Sequence, residues 1–240
     1  MDPKVRLAAA MARMPDFIVG GAACLDFANT VEPRGGIDSA EDAASSGRGD
    51  PRRDYLLEYG DLIAWSHAAG LLSEEEALRL VGRADAHPDA AAALFDAAIA
   101  LREAIYRIFL AISRSESPIP TDLTAVEAAY HRALSHTHLT QHDGGFAWTW
   151  PSPHPDPSTD LESPLWPVAR SAVDLLTTAD PRRIKACPGV PGSPAPCMWL
   201  FYDTSKSRTR RWCTMADCGG HTKAQRLTAR RRSARSGEVS

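Results

Sequence analysis

The chain has 240 residues, 44 % of them hydrophobic, and a formal net charge of −3, enough apolar matter for one mid-sized core plus a small appendage and too much for a disordered tail. The opening MDPKVRLAAAMARMPDF lacks the unbroken apolar core of a secretory signal, and no stretch approaches the roughly 18 apolar residues of a membrane span, so a cytoplasmic protein without a membrane partner is expected. Of the 27 basic and 30 acidic residues, 13 and 3 fall in 181–240, leaving 14 and 27 for the first 180, a split that implies an acidic body repelled by polyphosphate and a basic terminus attracted to it.

In chain order, FIVGGAACLDFANTV starts with a short extended piece at Phe17 to Val19, turns at Gly20-Gly21 and enters a buried helix from about Ala23. Residues 32–53, rich in Gly, Ser, Asp and Arg, lack apolar periodicity and read as a mobile loop. From Tyr55, the positions Leu56, Leu57, Leu62, Ile63 and Trp65 predict a helix that stops near Gly70. Ser73 before Glu74, Glu75 and Glu76 is a helix start, its hydroxyl capping free amides while the acids face the positive dipole end. Pro88 opens a long helix to about Ser113, with Leu94, Ile99, Leu101, Ile105, Ile108 and Phe109 on its buried face. Thr121 opens another, to about Ser135.

HLTQHDGGFAWTW alternates on both sides of Asp-Gly-Gly and predicts a hairpin, with Phe146, Trp148 and Trp150 on one face, covering helices. Pro151 to Pro157 reads as a loop, and Ser163-Pro164 starts a helix to about Thr178. Asp180-Pro181 marks a join between a domain at 1–180 and one at 181–240. The expected fold class is mainly α: a helical N-terminal domain with a small β-hairpin, followed by a small four-cysteine module with a short strand and a basic helix.

Cys187, Cys197, Cys213 and Cys218 lie within 32 residues of one another. In a reducing compartment clustered thiols favour a metal over disulfides, and four thiolates fill a tetrahedral zinc shell with no position left for water, so a structural Zn2+ is expected. The interval PGVPGSPAP suits a rigid loop returning the chain to the metal, and MWLFYD has strand propensity. Beyond Cys218, Lys223, Arg226, Arg230 and Arg231 sit in a helical stretch; 223, 226 and 230 follow three- and four-residue steps and share a face that can track phosphates. Arg208, Arg210 and Arg211 add a second surface, with Arg208 and Arg211 the better candidates for guanine, because a guanidinium bonds two acceptors at once. Duplex DNA is the expected partner.

The run CMWLFYDTSKSRTRRWCTMADCGGHTKAQR resembles the CGNR-type zinc finger, with an aromatic strand, an Asp-Thr-Ser turn, an Arg-Trp-Cys segment and a closing cysteine. Asp203, Thr204, Ser205, Arg208, Arg211, Trp212, Cys213, Met215, Cys218, Gly219 and Lys223 fall in register. Gly220-His221 stands where the family carries asparagine and arginine. Upstream, FIVGGAACLDFANTV resembles the opening of the ABATE domain that precedes this finger in candidate stress-induced transcription regulators of bacteria. The resemblance implies a DNA-binding regulator whose N-terminal domain senses a small molecule or a protein.

Other features have plainer readings. Cys24, alone in an apolar stretch, is a buried structural thiol. Asp26, Asn29 and Thr30 inside an apolar run either pin buried backbone or, with Trp65, line a ligand pocket. Histidines 131, 136, 138 and 142 read as exposed, and His221 as a bystander to four sulfurs. Asp203 with Thr204 and Ser205 reads as a turn. No phosphate-binding glycine loop, dinucleotide fingerprint or nucleophile elbow is present, so no enzyme is expected. The rivals are a zinc-stabilised protein-interaction module, an RNA binder with exposed Trp199, Phe201 or Tyr202, and a hydrolase with an open zinc position. A homodimer is compatible with each.

Overall fold

A computed structural model describes residues 2–14, 18–35, 53–142, 144–150 and 152–237, with side chains as far as 228 in the last segment. Helix α1 (Pro3–Met11) starts where the Asp2 carboxylate accepts the Lys4 amide at 2.9 Å. Helix α2 (Ala23–Ala28) is short and central, with Cys24, Leu25, Phe27 and Ala28 fully buried. Phe17, the start of the expected extended piece, lies outside the described residues, as do 36–52 of the expected loop; the ends of that loop pair as β1 (Val31–Glu32) and β2 (Arg53–Asp54), antiparallel. Arg102 locks this pairing, donating to both carboxylate oxygens of Asp54 at 2.7 Å.

Helix α3 (Tyr59–Ala68) begins four residues later than its apolar pattern suggests, because Asp61 folds back to accept the Leu57 and Glu58 amides at 2.9 and 3.2 Å. Helix α4 (Glu74–Ala86) starts on the expected Ser73, in a reciprocal capping box with Glu76. The long helix α5 (Pro88–Ser113) has the expected limits; it buries Leu101, Ile105, Ile108 and Phe109, with Leu94 and Ile99 partly covered. Helix α6 (Pro120–Ser135) leads to the hairpin β3 (His138–His142) and β4 (Gly145–Thr149). A short helix α7 (Pro157–Glu162), capped by Asp156, occupies the end of the expected loop, and α8 (Trp166–Thr178) follows a 3-10 turn at Ser163–Leu165. No described helix is long and apolar enough to cross a membrane.

The hairpin forms, but its aromatic face does not cover helices. The register sets Leu139 opposite Trp148 and Gln141 opposite Phe146, so these side chains share one face of a two-stranded ribbon, and that face is turned to solvent: Phe146 is 71 % and Trp148 57 % exposed. Trp150, just beyond the strand, turns inward instead, donating its Nε1 proton to the Ala133 carbonyl at 2.9 Å. His136 departs from the exposed reading too, being half-buried and stacked on Trp166 with ring centres 4.9 Å apart.

The C-terminal part adds β5 (Ile184–Ala186), β6 (Leu200–Tyr202) and, after a π-turn at Met215–Gly219, helix α9 (Gly220–Gly237). Strands β5 and β6 pair antiparallel, Ile184 opposite Tyr202. Their buried side chains Ile184 and Leu200 join the same apolar core as Leu25, Phe27, Ile63, Ile105 and Phe109, at roughly 1.5–3 kcal/mol for each fully buried large side chain. The core therefore runs through residue 180 without a break.

Candidate metal centre and its basic face

Each cysteine is placed by its own local device. Cys187 follows β5 and Cys197 closes the proline-rich loop ahead of β6; the ladder extends to them, with the Cys187 amide donating to the Trp199 carbonyl at 2.8 Å and the Met198 amide to the Cys187 carbonyl at 3.0 Å. The loop packs so closely on itself that a Cβ on Gly189, whose φ is +69°, would stand 2.7 Å from the Cys197 nitrogen, so only glycine fits there. Cys213 follows Trp212, and Cys218 sits in the π-turn, where the Thr222 hydroxyl donates to its carbonyl at 2.8 Å.

The four sulfurs lie within 4.8 Å of one another, and Cys197 and Cys213 are 3.8 Å apart. A tetrahedral zinc with bonds of about 2.3 Å sets its sulfurs ~3.8 Å apart, so the donors fit that ion in number, type and spacing. Among the sulfurs alone, hydrogen bonds from Cys197, Cys213 and Cys218 push the Cys187 thiol down, while the hydrogen bond to Cys187 pushes the Cys197 thiol up. A cluster this tight cannot hold four thiolates unaided; a divalent cation supplies the missing positive charge. His221 faces elsewhere, its Nδ1 3.2 Å from Asp217. Cys24 is fully buried within α2, and desolvation pushes its thiol up to about 12, which keeps it an inert apolar filler.

The first half of the finger is sewn into the body by a segment more than 160 residues upstream. Asn29 acts as a surrogate strand: its amide donates to the Leu200 carbonyl and its oxygen accepts the Leu200 amide, both at 2.8 Å. The Trp199 indole donates to the Val31 carbonyl at 2.7 Å, the Tyr202 amide to Gly20 at 2.7 Å, and the Arg34 amide to Cys197 at 2.8 Å. A Cβ on Gly35 would stand 2.6 Å from Pro196 and Met198 side-chain carbons. Arg34 itself spans the seam, donating to the Ala28 carbonyl at 3.0 Å and to Glu103 at 2.7 Å.

These contacts define what the candidate pocket residues do. Asp26 accepts the Gly20 amide at 2.6 Å, Thr30 donates to Phe27 at 2.8 Å, and Trp65 packs 5.0 Å from the Phe27 ring. Asp26, Asn29 and Trp65 border a void of about 10 Å³ that Thr30 does not reach, space for no more than one water. They pin backbone. Burial raises the Asp26 carboxyl to about 6, against the backbone hydrogen bonds and the nearby Arg210 charge.

The second half faces outward. Asp203 organises its turn, accepting the Ser205 and Arg210 amides at 3.0 Å and the Lys185 ammonium at 2.5 Å. Burial alone would raise its carboxyl; the Lys185 and Ser205 hydrogen bonds outweigh that and hold it well below the usual range. Lys185 also caps the Arg208 and Arg210 carbonyls at 2.6 and 3.1 Å, steadying a turn in which Arg208 has a φ of +55°. Arg208 is exposed beside Asp180 at 3.3 Å. Arg210 is engaged inward: it donates to Val19 at 2.9 Å, Trp212 at 3.1 Å and the Cys213 carbonyl, and lies 4.4 Å over the Phe201 ring. Arg211, Lys223 and Arg226 are exposed. The side chains of Arg230 and Arg231 lie outside the described residues.

Lys185, Arg34 and the acceptor role of segment 19–31 escape a reading of the sequence, because their partners are distant and lysine or arginine in a basic region reads as solvated charge.

A helical body with a closed tetrathiolate centre built onto its core defines a zinc-binding protein of two-part architecture. A family model described as "Putative stress-induced transcription regulator", ABATE, matches residues 21–179, and the CGNR zinc finger matches residues 183–231. The chain belongs to the ABATE family and ends in a CGNR zinc finger. No curated protein matches it.

Proposed function

We propose that the protein is a cytoplasmic DNA-binding transcription regulator, non-enzymatic, in which residues 1–180 form the regulatory body and 181–240 the nucleic-acid-binding module. The observation that carries this reading is the division within the finger: its apolar strands pack on the body, while Arg208, Arg211, Lys223 and Arg226 are exposed. Cations on a rigid support are what phosphate contacts require, and such contacts give affinity and orientation before any base is read. Four thiolates leave zinc no open position, which favours a structural ion over a hydrolytic one. Burial of Trp199 and Phe201, at 2 % and 0 % exposure, with Tyr202 half-buried, favours DNA over a single-stranded RNA stacked on these rings.

Binding of the zinc-loaded full-length protein to duplex DNA across a salt series tests the reading. The logarithm of affinity falls linearly with the logarithm of salt concentration, and Lys223→Ala or Arg226→Ala each reduces the slope by about 1. Salt-independent affinity, or no binding at low salt, overturns it; tight binding to an acidic protein in place of DNA would support the interaction-module alternative.

A further inference from the structure

An open cleft of about 670 Å³ separates the finger's outer loop from the body. One wall is body chain, Ile18 to Gly21; the other runs from Ser205 to Met215. The body wall is held by the finger itself, through Tyr202 donating to the Gly20 carbonyl at 2.7 Å and Arg210 donating to Val19 at 2.9 Å. Its chemistry is of two kinds. Ile18 and Met215, 46 % and 49 % exposed, offer apolar surface. Ser207, Thr209 and Arg211 offer hydroxyls and a guanidinium, and no carboxylate is among the described residues that line it.

Free phosphate has no use for the apolar wall, and an apolar ligand would leave the Arg211 cation without a counter-charge. A sugar–phosphate backbone presents both a deoxyribose carbon face and anionic oxygens, and the surrounding module carries 13 basic against 3 acidic residues, the complementary charge. We propose that this cleft seats one strand of duplex DNA by its sugar–phosphate backbone, with Arg211 and the hydroxyls on phosphate oxygens and Ile18 and Met215 against deoxyribose. The N-terminal body then supplies part of the DNA-binding surface rather than standing behind it. This inference rests on the DNA-binding reading above.

The test compares duplex-DNA affinity of zinc-loaded full-length variants at one low salt concentration, each checked for zinc content and melting temperature. Ile18→Glu places a carboxylate on the body wall and Thr209→Glu one on the finger wall, both at exposed positions; each is expected to weaken binding roughly tenfold or more, about 1.4 kcal/mol. Leu139→Glu on the exposed face of the hairpin makes the same charge change at a position that does not line the cleft and is expected to leave affinity within about twofold. Should Ile18→Glu fail to fold, Thr209→Glu carries the test. Unchanged affinity in both cleft variants, while Lys223→Glu weakens binding, overturns the cleft and leaves the DNA reading standing; equal losses from Leu139→Glu overturn it as a net-charge effect. A wild-type protein that binds no DNA removes the reading and this inference together.

Discussion

The two halves of the finger behave as different materials. Residues 184–202 are anchored by apolar contact and backbone pairing at their two strands, with Leu200 and Phe201 fully buried and Asn29 closing the ladder from the body. Residues 203–228 hold a polar turn, exposed cations and a helix whose described side chains are almost all exposed. Two cysteines come from each half. The zinc is thus a staple between a part of the body's core and a basic surface that has little apolar burial of its own, which is how a structural metal substitutes for a core in a small unit.

Removing the staple is the most severe way to break this asymmetry. Cys213→Ser should lose zinc stoichiometrically and forfeit much of the ~10 kcal/mol that such sites contribute, read as loss of far-UV helicity from α9 with the body's own melting transition retained. Unfolding of the whole chain would contradict the division. Asn29→Ala attacks the seam instead, leaving both Leu200 backbone groups buried and unpaired; a loss of ~2–4 kcal/mol in denaturant unfolding is expected, with zinc still bound.

Asp26 sharpens the comparison through pH. Its carboxyl is raised to about 6 in the fold, above the ordinary carboxylate range near 4, so its contribution to stability is present below about pH 4 and is lost as pH rises through about 6. A decline of about 3 kcal/mol across that window is expected, absent in Asp26→Asn, which keeps an acceptor for the Gly20 amide. The smallest effect belongs to the hairpin: Phe146→Ala and Trp148→Ala, at solvent-facing positions, should each change stability by less than ~1 kcal/mol. A larger loss would mean that this face is covered.

Much of this architecture is legible in the sequence where the signal is local. The Ser73 cap, the Pro88 start, the Asp-Gly-Gly hairpin and the four cysteines all stand as expected, because each depends on neighbours a few residues away. Helix α7 was within reach, since Asp156-Pro157 carries both a capping carboxylate and a proline at the first helical position. What stays hidden depends on distance. Nothing in Asn29 announces a partner at residue 200, and Arg210 is indistinguishable in sequence from Arg208 and Arg211 until Phe201 and the Val19 carbonyl are seen around it. Alternation placed Phe146 and Trp148 on one face correctly but cannot say which side of an isolated ribbon meets the protein.

Amide hydrogen exchange on the full-length protein, before and after zinc chelation, tests the staple most directly. The Leu200 and Tyr202 amides, held by Asn29 and Gly20, should stay protected, while the Arg210 and Gly219 amides, which donate to Asp203 and Thr214, should lose protection. Loss of protection in both halves together, or in neither, would contradict the account.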